Sequence, residues 1–249
     1  MAVRKETVGG EAKSIGSDIN WAEARSALSW WLEAGLDVAV QEEARDWLKR
    51  APPKAVPSPE PVPVANLAEP DHETLGALQE WLASSTQLPL ASATARRILP
   101  HGPENAAVML LSDAPTLEDL TAGQPIGGEA WELAKRMLAA IAIAPDEVYS
   151  ASLSCFNSPG ARMSKADREA CAVIARRHIA LARPRRLLLL GDGPAQTLLG
   201  KPLAQARGHV YRIEGVRTIA TFHPRQLVHH NASKSYAWQD LLLLMEDDS

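Results

Sequence analysis

The stretch VMLLSDAPTLED, residues 108–119, carries the feature that decides the fold. Four apolar residues run directly into Ser112, Asp113, Ala114 and Pro115. A short apolar run bounded by turn residues is typical of a buried strand, and the polar residues after it predict a loop. That loop places a carboxylate at the end of the strand. Asp113 therefore either takes part in the chemistry of a site or only caps a turn.

Short apolar runs alternate with helical patterns through the rest of the chain. The predicted strands cover residues 106–111, 147–153, 187–190 and 216–221, and the predicted helices cover 72–84, 129–143, 164–182, 193–199 and 233–246. Such alternation is typical of a parallel sheet covered on both faces. The fold class predicted is therefore α/β, a three-layer α/β/α arrangement around a central, mostly parallel four-stranded sheet.

The chain before this pattern divides into two further segments. Residues 1–50 are predicted to be partly disordered and then helical, because Trp21, Leu28 and Trp31 recur at helical spacing. Residues 51–71 are rich in proline and predict an extended linker. The alternating domain then occupies residues 72–249.

Composition narrows the class of protein. No apolar run approaches the roughly 20 residues of a membrane span, and the N-terminus has no apolar core of a secretory signal. Two cysteines, Cys155 and Cys171, do not make a disulfide framework and fit a reducing compartment. We therefore expect a cytoplasmic protein with no membrane partner.

Charge is distributed unevenly along the chain. Residues 160–240 hold 14 Lys and Arg against 5 Asp and Glu, a net +9, whereas the remainder of the chain is net −13. A basic half on an acidic chain suits binding to a phosphate backbone, although the same pattern occurs on solvated surface helices. The asymmetry is therefore compatible with a nucleic-acid partner such as single- or double-stranded DNA, but it does not by itself select one.

Ligands of parallel sheets bind outside the carboxyl ends of the strands, so the loops there carry the candidate chemistry. These loops contain Asp113, then Arg162 after a Pro-Gly turn, then Gly191 and Gly193 at a helix start, and then His223 before a proline. A histidine can stabilise a developing anion or move a proton. Backbone amides at a helix N-terminus suit a phosphate.

The order and spacing of these motifs resemble the uracil-DNA glycosylase superfamily, especially its iron–sulfur family four. The resemblance covers about residues 80–246. The family's Gly-Glu-Ala-Pro-Gly loop reads Ser-Asp-Ala-Pro-Thr at 112–116, its Pro-Gly-Asn-Arg turn reads Pro-Gly-Ala-Arg at 159–162, and its His-Pro-x-x-Leu motif is intact at 223–227. The resemblance implies an enzyme that flips uracil out of DNA and hydrolyses its glycosidic bond.

The resemblance also implies roles for individual residues. Asp113 stands where the family has glutamate, and would position water or balance charge on the sugar. His223 would stabilise the leaving base. The predicted substrate contacts are Ala114, Pro115, Ile126, Ser152, Asn157, Arg162, Gly191, Gly193 and Arg225.

Several of these positions depart from the family pattern. Ile126 replaces a phenylalanine that would stack on the base. Ser152, or Ala151 if the alignment is made on Cys155, replaces an asparagine that would read the base edge, and Asn157 lies near enough in sequence to substitute for it. Base stacking and bidentate contacts give glycosylases both affinity and selectivity, so activity is expected to be reduced or altered.

This chain also lacks part of the metal-ligand set of family four. The family's cluster needs four thiolates, yet Ser85 and Leu88 occupy the Cys-x-x-Cys positions, and the loop match places Phe156 rather than Cys155 at a third. We therefore predict no metal site and no cofactor, the iron–sulfur cluster being absent.

Two alternatives to a glycosylase stay open from sequence. The first is a catalytically degenerate member of the superfamily that binds DNA or a partner without cleavage. The second is an adaptor in which the N-terminal helix recruits a protein partner.

Overall fold

The computed structural model describes residues 72–92, 94–157 and 163–246, together with Arg25. The N-terminal helix predicted within 1–50 and the linker predicted over 51–71 lie outside these residues, Arg25 apart. Arg162, a predicted substrate contact, lies outside them too.

Helices and strands alternate through the described residues. The helices are α1 Leu75–Ser84, α2 Leu117–Ala122, α3 Gly128–Ala140, α4 Lys165–Ala182, α5 Asp192–Leu199, α6 Leu203–Ala206, α7 Pro224–His229 and α8 Lys234–Met245, with 3₁₀ turns at Pro145–Glu147 and Asn231–Ser233. The strands are β1 Arg96–Arg97, β2 Val108–Ser112, β3 Val148–Ser152, β4 Phe156–Asn157, β5 Arg186–Leu190, β6 Tyr211–Ile213 and β7 Val216–Thr221.

Within the described residues, the main sheet has five strands in the order β3-β2-β5-β7-β6. The first four strands are mutually parallel, and β6 pairs antiparallel with β7 at the edge. The four predicted strands are all present, and the mostly parallel sheet is confirmed. The strand count was wrong by one, because β6 is only three residues long and joins β7 through a two-residue turn.

That turn explains how such a short strand forms. Glu214 and Gly215 both have positive φ angles, 49° and 79°. Two consecutive positive φ angles are typical of the tight turn whose twist matches an antiparallel hairpin. The pair Glu-Gly is a weak sequence signal for this turn, so the hairpin was missed.

The two faces of the sheet bury different side chains, which makes the three layers. On β2, Val108 and Leu110 pack into the cluster that contains residues of α3 and α8, whereas Met109 and Leu111 pack into the cluster that contains residues of α1 and α4. Alternation of this kind on a doubly covered strand is why the run at 108–111 is continuously apolar. The three-layer prediction is confirmed.

The parallel strands end at one edge of the sheet, and this edge positions the site. Ser112, Ser152, Leu190 and Thr221 are the last residues of β2, β3, β5 and β7. The loops that follow them therefore lie side by side. In the described part of the chain, no helix is both long enough and apolar enough to cross a membrane.

Candidate active site

Asp113 is packed against the turn that opens α5. A Cβ atom built on Gly193 would lie 2.5 Å from the Asp113 Cγ and 2.6 Å from its Oδ2. Any side chain at position 193 would overlap the carboxylate, so glycine is required there for the carboxylate to keep its place. The sequence predicted both residues for the site, and the structure brings them into contact.

The surroundings of Asp113 raise the pKa of its carboxyl. The residue is exposed at the sheet edge, but the protein atoms around the carboxyl remove part of its hydration, and this is the largest cause of the shift. The Ala114 N–H and the positive charge of Arg168 oppose it, while the negative charge of Asp192 adds to it. Arg168 and Asp192 were not among the predicted site residues.

His223 is fixed as a neutral hydrogen-bond donor. It precedes α7, and its Nδ1 accepts a hydrogen bond from the Arg225 backbone N–H at 3.1 Å. Burial, helped by the charge of Arg225 and opposed by Asp119, lowers the pKa of His223 to about 4. A neutral imidazole that accepts at Nδ1 carries its proton on Nε2, so that nitrogen is available to donate to a ligand.

The turn between β5 and α5 joins the two groups. Gly191 has a φ of +91°, and its N–H donates to the Thr221 carbonyl at 2.8 Å. A Cβ atom on Gly191 would lie 3.6 Å from the Cβ of His223. Asp113 and His223 therefore flank one short turn, with Gly193 against the first and Gly191 against the second.

The same turn has a restricted capacity for phosphate. The Gly191 N–H, which the sequence assigned to a phosphate, already donates to Thr221. The Asp192 carboxylate lies beside the turn, where it accepts hydrogen bonds from the Leu203 N–H at 2.8 Å and from the Gln196 amide. Two carboxylates near a helix N-terminus occupy the favourable place for an anion, so the phosphate role of Gly191 and Gly193 stays a prediction.

Asp119 holds three site loops together. This buried carboxylate, 1 % exposed, accepts from the Thr116 N–H at 2.7 Å, the Gly127 N–H at 2.7 Å and the Arg225 Nη2 at 2.8 Å. The sequence singled out Arg225 as a substrate contact, whereas its guanidinium is engaged with Asp119. A Thr-x-x-Asp capping pattern at 116–119 was the signal that could have indicated a structural acid here.

The predicted base-reading positions are engaged with protein groups. The Ser152 hydroxyl lies 2.9 Å from the Ser112 hydroxyl on the neighbouring strand. The Asn157 Nδ2 donates to the Pro115 carbonyl at 2.7 Å, which ties β4 to the loop that carries Asp113. Asn157 thus shapes this loop, and one of the two Nδ2 hydrogens is taken by the Pro115 carbonyl.

Ile126 lies below the site rather than on its surface. The side chain is 1 % exposed and packs in the hydrophobic cluster with Leu110 and Ala130. It therefore presents almost no surface on which a base could rest. Of the loop residues beside Asp113, Ala114 is partly exposed and Pro115 is buried.

Comparison with known proteins identifies the family. Residues 99–242, more than half of the chain, match the family model of the uracil DNA glycosylase superfamily. The chain belongs to the uracil DNA glycosylase superfamily. Its relatives include a type-4 uracil-DNA glycosylase of Pyrobaculum aerophilum, 24% identical over 180 residues, which are 68% of this chain and 92% of the relative.

A second relative gives the same assignment. The type-4 uracil-DNA glycosylase of Archaeoglobus fulgidus is 26% identical over 139 residues, which are 51% of this chain and 70% of the relative. The resemblance of this superfamily member to family four is thus confirmed by relatives at low identity.

The residues at the expected cluster positions do not fit an iron–sulfur cluster. Ser85 and Leu88 supply no thiolate, and Leu88 is buried in the same hydrophobic cluster as Cys155, Phe156 and Cys171. Burial raises the pKa of Cys155 to about 11 against the opposing charge of Arg97, and raises that of Cys171 to about 12. In the described ranges no group of three or more His, Cys, Asp or Glu side chains could hold a metal ion, and the absence of a cluster stays a prediction.

Proposed function

We propose that this superfamily member hydrolyses the N-glycosidic bond of a flipped uracil, or of another damaged base, in DNA base-excision repair. The observation that carries the proposal is the pairing of Asp113 and His223 across the turn of Gly191 and Gly193. One is an exposed carboxylate next to the Ala114 N–H, and the other is a neutral donor. Cleavage of a glycosidic bond needs a carboxylate near the sugar and a hydrogen-bond donor near the departing base.

Charge separates between the sugar and the base as the bond breaks. The sugar acquires oxocarbenium character, which a carboxylate stabilises, and Asp113 would balance this charge or orient the attacking water. The base departs as an anion, and the Nε2–H of His223 would donate a hydrogen bond to it. Because the pKa of His223 is about 4, this nitrogen keeps a donor without carrying a full positive charge at neutral pH.

Selection of the base is expected to be weaker than in a site where an asparagine side chain makes hydrogen bonds to the base edge. A hydroxyl such as that of Ser152, already 2.9 Å from Ser112, cannot make the bidentate contact that distinguishes one base edge from another. Flipping a nucleotide costs a few kcal/mol, least for a mismatched or single-stranded base. We therefore expect single-stranded and mismatched substrates to be preferred.

The experiment that tests the proposal is an excision assay at enzyme excess. Oligonucleotides with one uracil, single-stranded or paired with guanine or adenine, are incubated with wild-type protein and with Asp113→Ala and His223→Ala variants. Alkaline strand scission then measures abasic sites. Abasic product that depends on both residues supports the proposal, and no product from wild-type protein on any substrate contradicts it.

A second candidate function is DNA binding without cleavage. It is favoured by Ile126, whose 1 % exposure leaves no stacking surface, and by the occupied side chains of Ser152 and Asn157. Binding measured over a salt series distinguishes the two functions. Salt-dependent binding with no abasic product would support this candidate, while no measurable DNA affinity would reject it.

We also propose a cytoplasmic location. Cys155 and Cys171 are free thiols in the structure, and free cysteines are usual in reducing compartments. Fractionation of the native protein, followed by detection with an antibody, would test this.

A further inference from the structure

Arg97 joins three segments of the chain through one guanidinium group. Its Nη1 donates to the Leu82 carbonyl at 2.6 Å, and its Nη2 donates to the Ser85 carbonyl at 2.5 Å. Its Cζ lies 4.6 Å from the centroid of the Phe156 ring. The end of α1, the strand β1 and the strand β4 therefore meet on a single side chain.

These are the segments in which a family-four cluster would find its ligands. Ser85 and Leu88 occupy the first pair of ligand positions, and Phe156, next to Cys155, occupies the third. Leu88, Cys155 and Phe156 also lie in one buried cluster. The contacts of Arg97 thus fall on the end of α1 and on β4, where thiolates would otherwise be needed to hold the same chain segments.

We infer that Arg97 is the non-metal cross-link of this region and takes the structural place of an iron–sulfur cluster. A guanidinium is suited to the task because its rigid fork of donors can reach two carbonyl oxygens while its face stacks on an aromatic ring. The carbonyls at a helix C-terminus lack helical partners and carry partial negative charge. The guanidinium at the end of α1 donates hydrogen bonds to these carbonyls and compensates their partial negative charge.

The cross-link also reaches toward the candidate active site. Phe156, the ring under Arg97, is followed by Asn157, whose amide holds the Pro115 carbonyl at 2.7 Å. Pro115 lies two residues after Asp113. The contacts of Arg97 would hold these segments together whether or not the protein is an active glycosylase, so their test is independent of the proposed function.

The test compares Arg97 with its neighbour Arg96, which lies on the same strand and is exposed. Full-length Arg97→Met, Arg97→Lys and Arg96→Met variants are purified, and thermal unfolding is followed by circular dichroism. We expect Arg97→Met to lower Tm by about 5–10 °C and Arg97→Lys by about half as much, because lysine keeps the charge but not the fork. Arg96→Met should stay within about 2 °C of wild type.

Iron uptake supplies the second measurement. Wild-type protein is incubated anaerobically with ferrous iron, sulfide and a thiol reductant, desalted, and assayed for iron and for the visible absorbance of a cluster. We expect neither. Stoichiometric iron with cluster absorbance would overturn the inference, as would an equal Tm for Arg97→Met and Arg96→Met. If Arg97→Met does not accumulate in folded form, Arg97→Lys decides, and a wild-type Tm for that variant would overturn the inference.

Discussion

Asp113, in the loop after β2, and Asp119, in the first turn of α2, are two aspartates with opposite surroundings. Asp119 is 1 % exposed and accepts hydrogen bonds from two backbone amides, a hydroxyl and a guanidinium. Asp113 is exposed, and its carboxyl faces the N–H of the adjacent Ala114. Six residues apart, one carboxylate is surrounded by protein donors and the other keeps an exposed face.

The difference indicates a structural role for Asp119 and a chemical role for Asp113. A carboxylate with saturated hydrogen bonds stabilises the loops around it, and its charge is compensated by Arg225 at 2.8 Å. A carboxylate with a raised pKa and a free face is the kind of group that marks a functional site. The comparison therefore predicts that loss of Asp119 damages the fold, whereas loss of Asp113 damages activity.

Replacement of Asp119 by alanine should have the largest effect on stability. The change leaves the Arg225 guanidinium and two backbone amides without their acceptor, and breaking a buried ion pair from one side costs about 3–5 kcal/mol. Urea unfolding measures the free energy. Glu118→Ala, at the exposed neighbouring position, is the matched control and should cost less than about 1 kcal/mol. A similar loss in both variants would remove the distinction between the two aspartates.

Asp113→Asn should lower excision by about 10²-fold or more with little change in the free energy of unfolding. The amide keeps the shape of the carboxylate but cannot balance positive charge on the sugar or accept a proton. Removing a partly desolvated charge beside Asp192 is expected to leave stability equal or slightly higher. Single-turnover rates and urea unfolding of the same preparation measure the two quantities. A destabilised variant with unchanged rate would reverse the assigned roles.

The pH dependence of excision should show the titration of Asp113. Because the pKa of this carboxyl is raised and the ionised form is the active one, kcat/KM should fall as pH falls through that pKa, by about tenfold per unit below it. This acidic limb of the pH–rate profile should have its midpoint above the ordinary pKa range of aspartate. Rates measured on folded protein, verified by circular dichroism at each pH, check this. If Asp113→Asn retains the same limb, another group titrates.

The fold class was predictable from the sequence because it depends on local signals, and the same signals nominated Asp113 and His223 as candidate site residues. Apolar runs gave the four parallel strands, and strand ends gave Asp113 and His223. The elements that were missed are short: β1 and β4 have two residues each, β6 has three, α6 has four, and α2 and α7 have six each. Periodicity over so few residues carries little information, and their positions are set by turns and caps.

The partners of each site residue were not predictable, because they come from distant parts of the chain. Arg225 and Asp119 are 106 residues apart, and Asn157 and Pro115 are 42 apart. Local patterns do not encode which loops meet. The charge asymmetry likewise does not tell arginines that would face a phosphate backbone from those that bind protein groups, among them Arg176, Arg177, Arg186, Arg207 and Arg225.

Gly193→Ala is the smallest change that should still lower the activity that depends on Asp113 without lowering the stability that depends on Asp119. The added Cβ would lie 2.5 Å from the Asp113 Cγ, so the carboxylate must swing away, and displacement of a catalytic group by about 1 Å costs on the order of tenfold or more in rate. Asp119 is untouched, so unfolding by urea should change by less than about 1 kcal/mol. Gly76→Ala, on a helix with no atom within 4 Å of the new Cβ, is the matched control and should be fully active. Equal activity of the two variants would show that the position of Asp113 beside Gly193 does not matter for excision.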